Sequence, residues 1–400
     1  MDSLTLIEEL AHKFQNEFIK DSIVLYAGAN IPSPKALNLM GSTLGSMPAM
    51  GYGPNREQPG VTQIAEIEAT VEKLAVSLFQ AEWAAVTFPT CTLANLAIYA
   101  TLAQPGDLIA VTPGRAGGHV SHQPHGAPGL CKLQVIELAY DTENQIIDDA
   151  QSAQIILKKK PKIVMLGASY MPFAYSFEQI LAACKAVSAT LVYDIAHVAG
   201  LVLGGKFPNP LLQGADLITM STYKSLGGPS GALMLGRQGS GHLEKKLRDA
   251  AYPKMLANYN AARVAAIGVA LCDMQQHARP YAQQMIANAM SLKKELKALG
   301  HSVLATETHH VALPRSDAEA DSNLLEQYHL ICGTTSIQGS AHARALRIGT
   351  QLITRRGFKP KHMPQMAHYL NQVLTKEVNK AIKKEIKEWS HQFSSLLYTA

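Results

Sequence analysis

Apolar residues along this 400-residue chain fall into two rhythms. Near the start, Leu6, Leu10 and Phe14 recur four apart and predict a helix over residues 3–19 with one apolar side. Ile64, Ile67, Val71, Leu74 and Leu78 trace a second helical stripe beginning at Thr62. Between these helices, residues 22–60 are irregular and carry Pro32, Pro34, Pro48, Pro54 and Pro59. Long loops of that kind in a compact enzyme belong to an active site or a subunit contact. Short apolar runs then alternate with helical patterns. Residues 84–88, 108–112, 134–138, 163–166, 190–194, 215–220 and 232–235 read as strands. Helices are expected from Thr92, over 146–160, and over 181–187 after the capping-box pattern Ser176–Phe177–Glu178–Gln179. This alternation predicts an α/β fold whose mostly parallel sheet is covered by helices on both faces. Residues 242–276 read as helical, and a long amphipathic helix from Pro280 ends at Gly300. Short strands at 301–304, 311–313 and 346–348 alternate with further helices. The expected organisation is an N-terminal helix and arm over 1–60, a large domain over 61–279 and a smaller C-terminal α+β domain over 280–400.

Ligands of open α/β sheets bind outside the carboxyl ends of the strands. Three chemically suggestive side chains stand there: Ser169, Asp194 and Lys224 each follow a strand-like run. Lys224 lies in the loop Ser221–Thr222–Tyr223–Lys224–Ser225–Leu226–Gly227–Gly228, between two apolar runs. An amine placed there suits capture of an aldehyde as a Schiff base. Tyr193–Asp194–Ile195–Ala196–His197 and Gly117–Gly118–His119–Val120–Ser121–His122 accompany it. A lysine for an aldehyde, a carboxylate for a pyridinium nitrogen and an imidazole against the ring make up a pyridoxal phosphate site. Thr90–Cys91–Thr92 sits between a strand and a helix, where hydroxyls and free N–H groups suit a phosphate; an ordinary threonine cap is the alternative. Arg347 stands in apolar surroundings, where a substrate carboxylate or an internal salt bridge would satisfy it.

Composition narrows the field. Hydrophobic residues make up 47% and charged residues 17%, enough apolar material for a sizeable core. The net charge of +5 is dispersed, and Lys158–Lys159–Lys160 ends a helical pattern, so no nucleic-acid patch is expected. The five cysteines are far apart and show no metal spacing, which fits a reducing compartment. The first residues lack the features of a signal peptide, and no apolar run is long enough to span a membrane; a cytoplasmic protein is expected.

These motifs together resemble serine hydroxymethyltransferase. Gly117–Gly118–His119 with His122, Asp194–Ile195–Ala196–His197–Val198–Ala199–Gly200–Leu201, Lys224 with Gly228–Pro229, Phe207–Pro208–Asn209–Pro210, and Arg347–Ile348–Gly349–Thr350 with Ile353–Thr354–Arg355–Arg356–Gly357–Phe358 carry the resemblance. It runs from about residue 20 to the C-terminus. It implies the fold-type-I architecture of pyridoxal phosphate (PLP) transferases, a seven-stranded sheet, PLP as cofactor and a homodimer with shared active sites. By resemblance, Lys224 is the Schiff-base lysine, Asp194 the pyridinium partner and His119 the stacking imidazole. His197 and Ser169 would lie near the cofactor oxygen. Thr90, Cys91 and Thr92 would stand at the phosphate with Ser221, and Arg347 would bind the amino-acid carboxylate, with Tyr52 and His122 also on the substrate side.

The departures are as informative. The family's glutamate before its Gly-Tyr-Pro-Gly stretch, a participant in folate-dependent transfer, is Met50. Its tyrosine pair is Glu57–Gln58, its upstream tyrosine Pro48, and its Ser-Glu-Asn is Gly28–Ala29–Asn30. The histidine before the lysine is Tyr223, and the arginine of its Gly-Pro-Arg-Gly turn is Ser230. The glycine-rich loop that reaches the neighbour's phosphate reads Lys254–Met255–Leu256–Ala257–Asn258–Tyr259. Methionine cannot transfer a proton. The expectation is therefore a folate-independent enzyme that makes or breaks the Cα–Cβ bond of a β-hydroxy amino acid, acting on an amino acid and an aldehyde. His122, Glu57 or Tyr223 would serve as the base. The alternatives are a folate-dependent hydroxymethyltransferase, a racemase or aminotransferase on the same scaffold, and a non-catalytic partner.

Overall fold

The computed structural model describes residues 2–379 and 381–400. The chain divides into two compact units. One holds the residues up to Ala29 together with Pro280–Tyr398; the other holds Asn30–Arg279 and the last two residues. The arm expected over 1–60 is thus shared between them.

The larger unit is built on a seven-stranded sheet. Its strands are β1 (Trp83–Ala85), β2 (Leu108–Val111), β3 (Gln134–Glu137), β4 (Ile163–Leu166), β5 (Thr190–Asp194), β6 (Leu217–Ser221) and β7 (Ala232–Gly236). Their spatial order is β1-β7-β6-β5-β4-β2-β3. All neighbouring pairs are parallel except those of β7, which runs antiparallel to both β6 and β1. Every residue of β4, β6 and β7 is buried, as helices on both faces require of a central strand. Register pairs Tyr193 with Leu166 and with Ile218, so the carboxyl ends of β4, β5 and β6 come out side by side. Ser169, Asp194 and the Lys224 loop emerge along that edge.

Several sequence expectations are revised. The helix Thr62–Phe79 buries Ile64, Glu68, Val71, Ala75 and Phe79, so its inner stripe is rotated from the one expected. The reason is Glu68, which is tolerated inside because Arg56 Nη2 lies 2.8 Å from its carboxylate. The capping box at Ser176 does not form: the carboxylate of Asp149 caps the helix Glu178–Val187 instead, accepting from the Gln179 N–H at 3.0 Å and the Ile180 N–H at 2.9 Å. Residues 146–147 are a short strand, and the helix there is Asp149–Lys159. Pro280 does not begin a helix but lies within a continuous one, Ala261–Ala298. Residues 301–304 form no strand.

In the smaller unit a three-stranded antiparallel sheet is formed by β8 (His310–Pro314), β9 (Gly333–Ser336) and β10 (Arg344–Gly349), with β10 in the middle. Leu292, Leu313, Leu346, Ile348, Phe358 and Leu370 belong to its core. Ile23–Val24 pairs in parallel with Leu330–Ile331. The first helix, Ser3–Phe14, buries none of its residues and exposes Leu4, Leu6, Ile7, Leu10 and Phe14. No helix of the described residues is long and apolar enough to cross a membrane.

Candidate active site

The carboxyl edge of the large sheet opens into a cavity of about 340 Å³, within the range of small-molecule sites. Lys224 stands in its wall and is only 7% exposed. The loop that carries it is pinned from three sides. Thr222 N–H donates to the Gly231 carbonyl at 3.0 Å, Gly228 N–H to the Thr222 carbonyl at 2.7 Å, and Gly227 N–H to the Lys224 carbonyl at 3.0 Å. Asn30 Nδ2 donates to the same Lys224 carbonyl at 2.8 Å. The lysine backbone is therefore fixed, while its amine lies 5.8 Å from the ring centre of Tyr223, another wall residue.

Asp194 ends β5 and is buried. Its Oδ1 accepts from the Ala196 N–H at 2.9 Å. Its Oδ2 accepts from Asn95 Nδ2 at 3.1 Å and lies 3.2 Å from His122 Nε2. Burial pushes this carboxyl up, but the His122 hydrogen bond and charge, the Lys224 charge and the Ala196 N–H prevail and hold it well below the usual carboxylate range. Asp194 is thus an anion in a buried place, suited to keep a proton on an aromatic nitrogen. Gly167 secures the approach: its φ is +106°, and a β-carbon there would meet the Asp194 carbonyl at 2.1 Å.

His122 is itself held at both ring nitrogens, since Nδ1 lies 2.8 Å from Tyr99 Oη. Asn95 is braced by Thr219 Oγ1, which donates to its Oδ1 at 2.8 Å. Asn95, Tyr99 and Thr219 were not among the expected site residues. Cys91, Asn95 and Tyr99 recur every fourth residue on the helix Cys91–Leu102, so they share one face, and the Cys91 thiol lies 3.5 Å from Asp194 Oδ2. Buried polar groups at that spacing on an apolar helix were the signal.

The same helix offers its N-terminus to the cavity through Thr90, Cys91 and Thr92. Thr90 Oγ1 accepts from the Leu93 N–H at 3.1 Å, so it is a true cap. The N–H groups of Cys91 and Thr92 have no place in the helical ladder and suit an anion. His119, Ser169, His197 and Ser221 also line the cavity. His119 Nδ1 accepts from the Ser121 N–H at 3.2 Å, which leaves the proton of the neutral ring on Nε2. An aldehyde-trapping amine, a buried anion, an imidazole and an anion-binding helix start in one cavity fit a phosphorylated pyridine aldehyde.

Three expected residues, Glu57, Tyr52 and Arg347, do not line this cavity. Glu57 is exposed and accepts a hydrogen bond from Tyr252 Oη. Tyr52 Oη donates to Asp249 at 3.1 Å, and its ring centre lies 5.7 Å from the Arg248 guanidinium. Arg347 belongs to the smaller unit, on the middle strand β10, and is 6% exposed. Its guanidinium lies 5.9 Å from the Tyr26 ring centre. Burial draws its pKa down and Tyr26 opposes that. Beside it, burial and the Arg347 charge hold His309 at about 3, so this histidine is neutral at physiological pH.

Comparison with known proteins agrees with this geometry. A family model for serine hydroxymethyltransferase matches residues 6–370. An alpha-methylserine aldolase from Variovorax paradoxus is 33% identical over 94% of this chain and 88% of its own. A serine hydroxymethyltransferase from Methanothermobacter thermautotrophicus is 34% identical over 96% of this chain and 93% of its own. A solved L-threonine transaldolase from Pseudomonas fluorescens superposes with a TM-score of 0.91 at 24% identity, covering 99% of this chain and 94% of that one. That last likeness establishes the shared fold.

Proposed function

The chain belongs to the serine hydroxymethyltransferase family, and we propose that it is a PLP-dependent enzyme that makes and breaks the Cα–Cβ bond of a β-hydroxy amino acid without folate. The observation that carries this is the Asp194 carboxylate, kept anionic in the same cavity as Lys224. The cofactor-side residues are retained, whereas Met50 stands where the family places its folate-side glutamate.

PLP, when bound, supplies a protonated aromatic ring that takes up the negative charge left at Cα. The chain's own residues do the rest. Lys224 Nζ would hold the cofactor through its aldehyde until a substrate amine takes its place. Asp194 keeps the ring nitrogen protonated. His119 would hold the ring by its face, and Ser169 and His197 would hold its phenolic oxygen. Thr90, Thr92, Ser221 and the helix start hold the phosphate, with the Cys91 N–H among the donors. Arg347 binds the substrate carboxylate through its two-pronged guanidinium. His122 has both ring nitrogens engaged and orients Asp194. Two groups are left to take the β-hydroxyl proton: Tyr223 as a phenolate, whose ring is close to Lys224, and the Glu57 carboxylate of a second copy. Expulsion of the aldehyde and protonation at Cα yield the smaller amino acid; addition of another aldehyde runs the step backwards.

The active assembly in this reading is a cytoplasmic homodimer. Its support is the apolar face of the helix Ser3–Phe14, wholly exposed in a single chain, and the exposed Glu57–Tyr252 pair. A second copy would bring Glu57 and Tyr52 to the site.

The test is to incubate the holoenzyme with L-serine, L-threonine, phenylserine and α-methylserine, with no folate, and to measure released aldehyde. Release from any of them supports the reading. Silence across the panel sinks it. Cleavage of serine only when tetrahydrofolate is added would favour the second reading, a folate-dependent hydroxymethyltransferase.

A further inference from the structure

A bound phosphate ester brings negative charge into a cavity whose phosphate side offers N–H and hydroxyl donors but no guanidinium. Among the wall residues, Lys224 is committed to the aldehyde, and Tyr223 and Ser230 are uncharged at the two positions where the resembling family carries histidine and arginine. A buried anion needs a cation or several charge-assisted donors.

The structure holds one half-buried guanidinium beside this end of the cavity. Arg263 lies in the first turn of the helix Ala261–Ala298, where its N–H is capped by Asn260 Oδ1 at 2.8 Å. Its Nη2 donates to the Thr87 carbonyl at 2.7 Å, in the loop that leads directly to Thr90. Its stem passes the turn that carries Ser230: a β-carbon on Gly231 would lie 3.2 Å from Arg263 Cδ and 3.2 Å from Thr222 Oγ1. The guanidinium is therefore bracketed by the two loops whose residues Thr90, Thr92, Ser221 and Ser230 line the cavity. Nε makes no hydrogen bond among the described residues. Burial draws its pKa down, and the sole opposing influence is Tyr259, not a carboxylate. A cation with no acid paired to it among the described residues, sited behind a neutral phosphate cradle, is costly unless an anion arrives.

We propose that Arg263 supplies the positive charge that holds the cofactor phosphate, from the layer behind Ser230, in place of the cation missing from the turn itself. This rests on the PLP reading above. It assigns binding, not chemistry, to Arg263, so the informative measurement is affinity.

Apoprotein of the wild type, Arg263→Lys and Arg263→Gln is titrated with PLP and with pyridoxal, which lacks the phosphate, at low and high salt, following the visible absorbance of the lysine adduct. The expected result for R263Q is a rise in Kd for PLP of about tenfold, a weaker salt dependence and unchanged binding of pyridoxal. R263K is expected to fall between. Thermal unfolding of the apoprotein with and without inorganic phosphate gives a second readout: phosphate raises the wild-type Tm and leaves that of R263Q unmoved. Equal PLP affinity in R263Q and wild type overturns the proposal. So does an equal loss for PLP and pyridoxal, which would make Arg263 a brace for the Thr87 loop. If R263Q does not fold, R263K with PLP against pyridoxal decides by the same criterion. Failure of the wild type itself to bind PLP would instead defeat the functional reading.

Discussion

His122 Nε2 and Asp194 Oδ2 lie 3.2 Å apart, and both side chains are buried. With Tyr99 on its other nitrogen, His122 cannot swing toward a substrate without breaking a second contact. Its work is on Asp194, whose ionisation it favours through a hydrogen bond and a charge.

Replacing His122 with asparagine should therefore raise the Asp194 pKa. The wild-type carboxyl is depressed below its ordinary 3.8, so what its charge contributes is present above that pH and lost as pH falls further. In His122→Asn the loss should begin at a higher pH. The acid limb of the cofactor absorbance, followed by titration of the holoenzyme, is expected to move upward. An unmoved limb would show that Asn95, Ala196 and Lys224 suffice.

Gly167→Ala should disturb the same carboxylate from the other side. At φ +106° an alanine is strained, and its β-carbon would lie 2.1 Å from the Asp194 carbonyl, so backbone has to shift. The cost is about 1–3 kcal/mol or more, measurable by urea unfolding. Cofactor retention on dialysis should fall with it, because the strand end that carries Asp194 is what must move. Wild-type stability in this variant would refute the close approach.

The pattern of strands and helices made the large sheet legible, because apolar runs as continuous as Leu217–Ile218–Thr219–Met220 have few alternatives to a central strand. The order of Asp194 and Lys224 along its edge was legible for the same reason. The side chains that tune Asp194 were not. Asn95 and Tyr99 look like incidental polar groups on an apolar helix until the fold sets that helix against β6 and β7, beside the end of β5. The rotated stripe of the helix Thr62–Phe79 was hidden too, since the partner that lets Glu68 go inside, Arg56, lies across an irregular segment. Tyr52 was placed by resemblance and Glu57 as the carboxylate nearest Met50, and neither lines the Lys224 cavity: Tyr52 is bonded to Asp249 and Glu57 to Tyr252.

Arg347→Lys is expected to separate substrate binding from cofactor binding. A lysine keeps the charge but loses the planar fork that matches a carboxylate. KM for the amino acid should rise about tenfold to a hundredfold, the weight of one charge-assisted hydrogen bond. The absorbance of the bound cofactor should not change. A KM within error of the wild type would remove Arg347 from the substrate site.

Arg248→Met examines a buried charge network outside the Lys224 cavity. Arg248 bonds both carboxylate oxygens of Glu72 at 2.8 and 3.0 Å, the Glu244 carboxylate at 2.9 Å and the Ala84 carbonyl at 2.8 Å. Burial pushes Glu72 up to about 7 even with Arg248 beside it. Methionine fills the space but leaves Glu72 to keep a proton or be stranded as an anion, at a cost of about 3–5 kcal/mol. The unfolded chain releases that proton near 4.5, whereas the folded variant has to hold it to a still higher pH than the wild type does. The stability deficit of the variant should therefore stay level from pH about 5 to 7 and grow above about 7, where the folded wild type has released the proton and the folded variant still holds it. Urea unfolding across that range measures it, and a deficit that stays flat or shrinks toward pH 8 would mean that Glu72 reaches water once Arg248 is gone.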